Sequence, residues 1–383
     1  KVQENLSGIR VVKAYVQNQA ELEQFKEINR EYVDKNMSMA KIRGGMTATM
    51  TSLVGLGALI VLWYGGRLVI QAQISLGEFV AFFAYLSMLT WPMIALGWVI
   101  NLIQQGAASM GRLNRIFETR PDICDGAQTD FSIQSIEGEI EFCDVGFSYN
   151  GTPVLQNIDL KIERGMTVAI VGPTGSGKST LINLIPRLFE ATSGQVRIDG
   201  RPIGEIPLHV LRRNIGYVPQ DTFLFSETIR ANIAFGEEAA SRAEIEEAAA
   251  IAQIKGDIDD FPAGFDTLLG ERGINISGGQ KQRTAIARAV IRKPRILILD
   301  DALSAVDTYT EEAILRQLRN VMRQRTSLIV SHRISTVKDA DLIIVLADGT
   351  IQERGNHEEL LSLNGLYAEL YQKQLLEEAL AEY

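Results

Sequence analysis

The rhythm of apolar and polar positions changes several times along this chain. From Glu21 to Arg43, Leu22, Phe25, Ile28 and Tyr32 recur every three or four residues among charges, which predicts an amphipathic, water-facing helix. Between Arg43 and Arg67 stand 23 residues without a charge, GGMTATMTSLVGLGALIVLWYGG, enough to cross a hydrocarbon layer of about 30 Å as a helix. A second charge-free stretch of 33 residues runs from Phe79 to Gly111. Its centre, FVAFFAYLSMLTWPMIALGWVI, carries Pro92, which membrane helices tolerate when neighbours re-satisfy the backbone. The short connection RLVIQAQISLGE makes the pair a helical hairpin, with spans expected over about 44–70 and 79–104. Lys41 and Arg43 flank one outer end and Arg112 and Arg115 the other, so the positive-inside rule places both ends in the cytoplasm and the turn around Gln71 outside.

From Arg112 to about Ile136 comes a polar connector with TRPDICDGAQTD, rich in turn formers. Beyond it, GEIEFCDVGFSY alternates, while MTVAIVG and RILILD are continuous apolar runs of the kind found in buried strands. Helical stretches such as ASRAEIEEAAAIAQ and TYTEEAILRQLRNVMRQ lie between them, and that alternation predicts a largely parallel sheet covered by helices. The expected organisation is a transmembrane part over 1–120, a linker over 121–136 and an α/β domain over 137–383.

Composition narrows the class. A net charge of −9 over 383 residues leaves no electrostatic footprint for nucleic acid, so DNA and RNA are excluded as partners. Two cysteines, Cys124 and Cys143, allow neither a disulfide framework nor a Cys-rich zinc site. The opening KVQENLSGIRVVKAY has no Met and no signal-peptide pattern, so the chain is expected to be part of a longer protein.

Directly after the strand MTVAIV comes GPTGSGKST, with a helical run to follow. This is the phosphate-binding loop pattern: Gly172, Pro173, Thr174, Gly175, Ser176, Gly177, Lys178, Ser179 and Thr180. Glycines let successive N–H groups curve round the phosphates, the Lys178 ammonium reaches the β and γ phosphates, and the Ser179 hydroxyl binds Mg²⁺. Asp300 ends the strand RILILD, where its carboxylate can hold the metal's water shell. These two motifs predict ATP and Mg²⁺ as cofactors but leave the purpose open.

About a hundred residues after the loop, INISGGQKQRTAIARA sets Ser277, Gly278, Gly279 and Gln280 at the start of a helical run. Here the sequence closely resembles the ATP-binding cassette (ABC) family, whose signature is Leu-Ser-Gly-Gly-Gln, with Ile276 at the Leu position. The resemblance implies an ABC nucleotide-binding domain, a P-loop NTPase with a helical subdomain, following α-helical transmembrane segments. It also implies that the signature closes on nucleotide held by a partner subunit. By the same resemblance Tyr149 stacks on adenine, Gln220 senses Mg²⁺ and couples to the membrane helices, SAVD (Ser304 to Asp307) crosses the dimer interface, and His332 contacts the γ-phosphate. TLLGERG, Thr267 to Gly273, and ENLSGIRVVKAY resemble segments of the exporter branch. His209 and His357 match nothing and are read as structural.

The residue after the metal aspartate is usually glutamate in this family, the base that polarises the attacking water. Here it is Asp301, a carboxylate on an arm one methylene shorter, drawn back by roughly 1 Å, and misplacement on that scale can slow a reaction about a hundredfold. The resemblance therefore implies one subunit of a heterodimeric exporter in the cell membrane, with its cassette in the cytoplasm and a partner chain supplying the glutamate. An aspartate that serves adequately with a slightly shifted backbone is the alternative. Two competing functions remain: a regulatory or channel-like ABC protein in which the cassette is an ATP-binding gate, and a soluble ABC ATPase, which the two spans contradict. The cargo, whether small molecule, lipid or peptide, is not legible, because Phe82, Phe83, Tyr85 and Trp91 read as lipid-facing or packing residues.

Overall fold

A computed structural model describes residues 1–381, with the exception of 271, 272, 274 and 324. It contains two compact units, Lys1–Arg120 and Pro121–Tyr383.

In the first unit, helix α1 (Asn18–Ile60) continues through a π-helical turn at Val61–Gly65 into Gly66–Ile70. The change from polar to apolar at Arg43 suggested two elements; the backbone makes one helix of 53 residues, Asn18–Ile70. No proline lies in this run, and polarity alone does not end a helix. The pair Gly44 and Gly45 is bridged by side chains: Thr47 and Thr49 each donate to the carbonyl four residues back, at 2.9 Å. At about 1.5 Å per residue the helix reaches about 80 Å, more than twice a hydrocarbon layer, so its polar half projects beyond any membrane its apolar half crosses.

Helix α2 (Leu76–Glu118) starts from a capping box in which Ser75 Oγ accepts from Glu78 N at 3.2 Å and Glu78 Oε2 accepts from Ser75 N at 2.7 Å. It runs through Pro92 without a break. The two helices approach at Gly65, where a Cβ would stand 2.8 Å from the Phe79 ring. Neither contains a buried residue. Trp63, Trp91 and Trp98 are 70%, 75% and 67% exposed, and the apolar windows have hydropathy 1.9 and 1.8. A core helix of a soluble domain would be covered; this much bare apolar surface requires lipid or further helices against it.

The second unit holds two sheets. The larger, in order β10-β9-β3-β8-β7-β6, comprises β3 (Thr167–Val171), β6 (Ile215–Val218), β7 (Ile296–Asp300), β8 (Thr326–Val330), β9 (Leu342–Ala347) and β10 (Thr350–Gly355). Five strands are parallel and β10 returns antiparallel on β9. β7 and β8 are buried at every position, as expected for strands covered on both faces. The smaller sheet, order β2-β1-β4-β5, is antiparallel throughout and was not foreseen as a separate layer: β1 (Ile140–Tyr149), β2 (Thr152–Ile162), β4 (Ser193–Ile198) and β5 (Arg201–Pro202). β1 joins β2, its neighbour in sequence, to β4, some fifty residues on, a pairing no local pattern announces.

Between β6 and β7 the described residues include the helices α3 (Arg242–Ile251) and α4 (Gly278–Val290). Residues 121–136, expected to form a linker, are drawn into this unit. Asp125 accepts from Leu208 N at 2.9 Å, Asp130 pairs with Arg201 at 3.1 Å, and Ile136 is buried.

Candidate nucleotide site

Four candidate groups lie just beyond the carboxyl ends of four neighbouring strands, where ligands bind in open α/β sheets. β3 leads into the phosphate loop, β8 into His332, β7 ends on Asp300 before Asp301, and β6 is followed two residues later by Gln220. The strand order β3-β8-β7-β6 sets them side by side, although they are scattered over 160 residues of sequence, from Gly172 to His332.

The loop's shape is glycine-dependent. Gly172, Gly175 and Gly177 have φ of +145°, +83° and +99°, and a Cβ on Gly172 would meet the Leu346 carbonyl oxygen at 2.0 Å. Gly177 packs on β2, with Leu155 Cδ2 2.8 Å and Val154 O 3.1 Å from where its Cβ would be. A short helix, Lys178–Leu184, then begins. Lys178 is buried; its Nζ donates to Gly172 O and Pro173 O, both at 2.8 Å. Burial holds its pKa below the ordinary lysine value, with Asp300 and Asp301 pulling the other way. Ser176 is buried and its hydroxyl has no partner in the protein, while the space beside Gly175 is open. A buried donor without an acceptor next to an open glycine cradle fits a bound phosphate.

Ser179 Oγ and Asp300 Oδ1 stand 3.1 Å apart, across 121 residues of sequence. Burial raises the Asp300 pKa, Ser179's hydrogen bond opposes this, and Asp301 raises it further. Among the described residues no group of three or more His, Cys, Asp or Glu side chains could hold a metal. The Ser179 hydroxyl beside the Asp300 carboxylate suits Mg²⁺, which takes one or two protein oxygens and fills its shell with phosphates and water.

Asp301 is partly buried and its backbone is left-handed, φ +47°, with its N–H donating to Val330 O at 2.9 Å. That conformation favours aspartate and asparagine among non-glycine residues, so the shorter acid suits the backbone as built. Gln220 and His332 are exposed, His332 near enough for its charge to act on Asp300. Tyr149, 41% exposed, ends β1; Phe147 and Phe189 meet its ring edge-to-face at 4.7 and 5.4 Å. Phe189 was not singled out from sequence, since an aromatic after a helix carries no local signal of stacking.

The signature is held apart from this cluster. Ser277 caps α4: its Oγ accepts from Gln280 N at 3.2 Å and Gln280 Oε1 accepts from Ser277 N at 3.0 Å. Gln280 Nε2 continues to Asp257 Oδ1 at 2.8 Å. Among the described residues no hydrogen bond or ion pair joins Ser277, Gly278, Gly279 or Gln280 to the phosphate loop. They meet the SAVD loop instead: Gln282, buried and unmarked in the sequence reading, donates to Ser304 Oγ and accepts from Ala305 N, both at 2.9 Å. A Cβ on Gly279 would meet Ala305 O at 2.9 Å. In the Thr267–Gly273 segment, Leu269 N donates to Glu227 O at 3.0 Å and Leu268 is exposed; Glu271, Arg272 and, further on, Ile274 lie outside the described residues. His357 is structural, its Nδ1 2.6 Å from Tyr367 Oη, and His209 is exposed.

Comparison with known proteins places these features. Residues 155–304 match the family model described as ABC transporter, and residues 2–93 match that described as ABC transporter transmembrane region. The chain is 43% identical over 378 residues to the probable multidrug resistance ABC transporter ATP-binding/permease protein YheI of Bacillus subtilis, covering 98% of this chain and 64% of that protein. It is 41% identical over 381 residues to the ATP-dependent lipid A-core flippase of Syntrophus aciditrophicus, covering 100% of this chain and 63% of the relative. The structure of a bacterial Atm1-family ABC exporter with ATP bound superposes with a TM-score of 0.89 at 35% identity, over 97% of this chain and 65% of that one. The chain thus spans less than two thirds of the length of these relatives.

Proposed function

We propose, from the premise that this chain belongs to the ABC transporter family, that it is one subunit of an ATP-driven exporter in the cell membrane, with its cassette in the cytoplasm. The phosphate loop and Asp300 bind Mg-ATP; the signature of a second subunit closes over that nucleotide, and this chain's Ser277 to Gln280 close over the partner's. Closure reorients the membrane helices, and hydrolysis resets them. When bound, Mg²⁺ would neutralise charge at the phosphates; Ser179 and Asp300 would hold it, Lys178 would pair with the phosphates, and Gln220 and His332 border the place where the γ-phosphate would sit. Relatives named for multidrug resistance and for a lipid A-core favour an amphipathic small molecule or lipid over a peptide as cargo.

The finer part of the reading is that this subunit's own site binds ATP well and hydrolyses it slowly, in a heterodimer whose partner carries glutamate at the matching position. The observation that carries it is Asp301, a short acid on a left-handed backbone inside an otherwise complete motif set. Purifying the intact complex and sequencing the co-purifying subunit tests it: a different chain with glutamate is expected, and a single chain species rules out the heterodimer. The same aspartate also supports an ATP-gated channel or regulator. Transport into sealed vesicles against a gradient separates the two, since a gate only equilibrates its solute.

A further inference from the structure

Glu311 is a carboxylate almost wholly inside the protein, its side chain 3% exposed, on the first turns of helix α5 (Thr308–Met322). It faces two groups from the segment that carries His332: it pairs with the Arg333 guanidinium and accepts from the Thr336 hydroxyl. Arg333 also donates from Nη1 to the Val306 carbonyl of the SAVD loop at 3.3 Å, and its own N–H is held by Ser331 Oγ at 3.0 Å. From the other side, Gln282 of the signature helix grips Ser304 and Ala305. An unbroken series of contacts therefore runs from the signature helix through SAVD to Arg333, with Glu311 as its buried anchor, and His332 is the residue next to Arg333.

A buried ion pair adds little stability over apolar side chains of the same volume, because desolvation offsets the attraction; what it adds is direction. Here it fixes one loop, which presents His332 to this chain's nucleotide, against another that is turned toward the signature. We infer that Glu311 is a positioning residue which, through Arg333, makes the His332 segment and the SAVD loop move as one body, so that γ-phosphate occupancy at this chain's site is passed to the loop serving the opposite site. The inference rests on the exporter-subunit reading of His332 and SAVD.

The test uses the full-length subunit in its purified assembly, with ATP turnover, ATP affinity and the thermal midpoint measured for Glu311→Gln, Arg333→Gln, the double variant and His332→Ala. Expected are losses of about tenfold in maximal turnover for each single variant, ATP affinity held within about twofold, and a double variant no slower than either single. Additive losses, or losses of affinity in step with turnover, overturn the inference. Normal turnover in Glu311→Gln overturns it, as does retained turnover in His332→Ala, and both leave the exporter reading standing; failure of the unmodified assembly to bind ATP removes that reading and the inference with it. If Glu311→Gln fails to fold, Arg333→Gln, at the more exposed end of the pair, carries the same test.

Discussion

The phosphate loop and the signature use one physical device, the exposed N–H groups of a helix N-terminus, and the chain prepares them in opposite ways. At the phosphate loop three glycines hold positive φ, the Ser176 hydroxyl is buried without a partner, and the lysine is shielded from water. At the signature the serine is spent on its own cap, and the residues around it lock to Asp257 and to the SAVD loop. One serine hydroxyl is left without a partner in the protein; the other is used within its own cap. The same helix N-terminus is thus built with its serine free in one place and with its serine committed to the cap in the other, and the two should respond differently to substitution.

The largest effect should come from breaking the phosphate-loop side. On the proposed reading Lys178 pairs with the β and γ phosphates, so for Lys178→Ala the ATP affinity of the purified subunit should fall on the order of a hundredfold in titration calorimetry. Breaking the signature side should leave that affinity alone. Ser277→Ala costs the helix about 1 kcal/mol as a lost cap, and turnover of the assembly should drop about tenfold while ATP binding by this chain stays within twofold. Equal losses in binding for both variants would erase the distinction. Tyr149→Ala sharpens it on the base side: loss of one stacked ring should weaken ATP by about fivefold, roughly 1 kcal/mol, and leave binding of inorganic triphosphate unchanged. The smallest effect is expected at neither site. The Lys293 ammonium and the Ser241 cap hold Glu244 at about 2, below the ordinary 4.5, so its contribution to stability is present above pH 4.5 and fades as pH falls toward 2. Glu244→Gln should lower the thermal midpoint slightly at pH 7, less at pH 3, and leave ATP binding untouched.

The phosphate loop was legible because its chemistry is written in nine consecutive residues, and a strand and a helix had to follow from their neighbours. Asp300 was legible as the polar end of an apolar run. What local pattern could not carry was pairing at a distance. β1 binds β4 across the phosphate loop and its helix, so the antiparallel layer was invisible; Glu311 sits among charges in a helical run, and only its contact with Arg333, 22 residues on, marks it as buried. The division at Arg43 followed a real change in composition, polar to apolar, that the helix itself ignores. At Asp301 the residue was readable and the backbone was not: φ +47° depends on the hydrogen bond to Val330, far along the chain.

The central claim is that Asp301 leaves this subunit a binder of ATP that depends on a different chain for turnover. ATP turnover of the full-length subunit purified alone, with and without Asp301→Asn, tests this most directly. The account predicts slow hydrolysis alone that Asp301→Asn barely alters, with fast turnover only when the partner is added. Robust turnover by the lone subunit, abolished by Asp301→Asn, would contradict it.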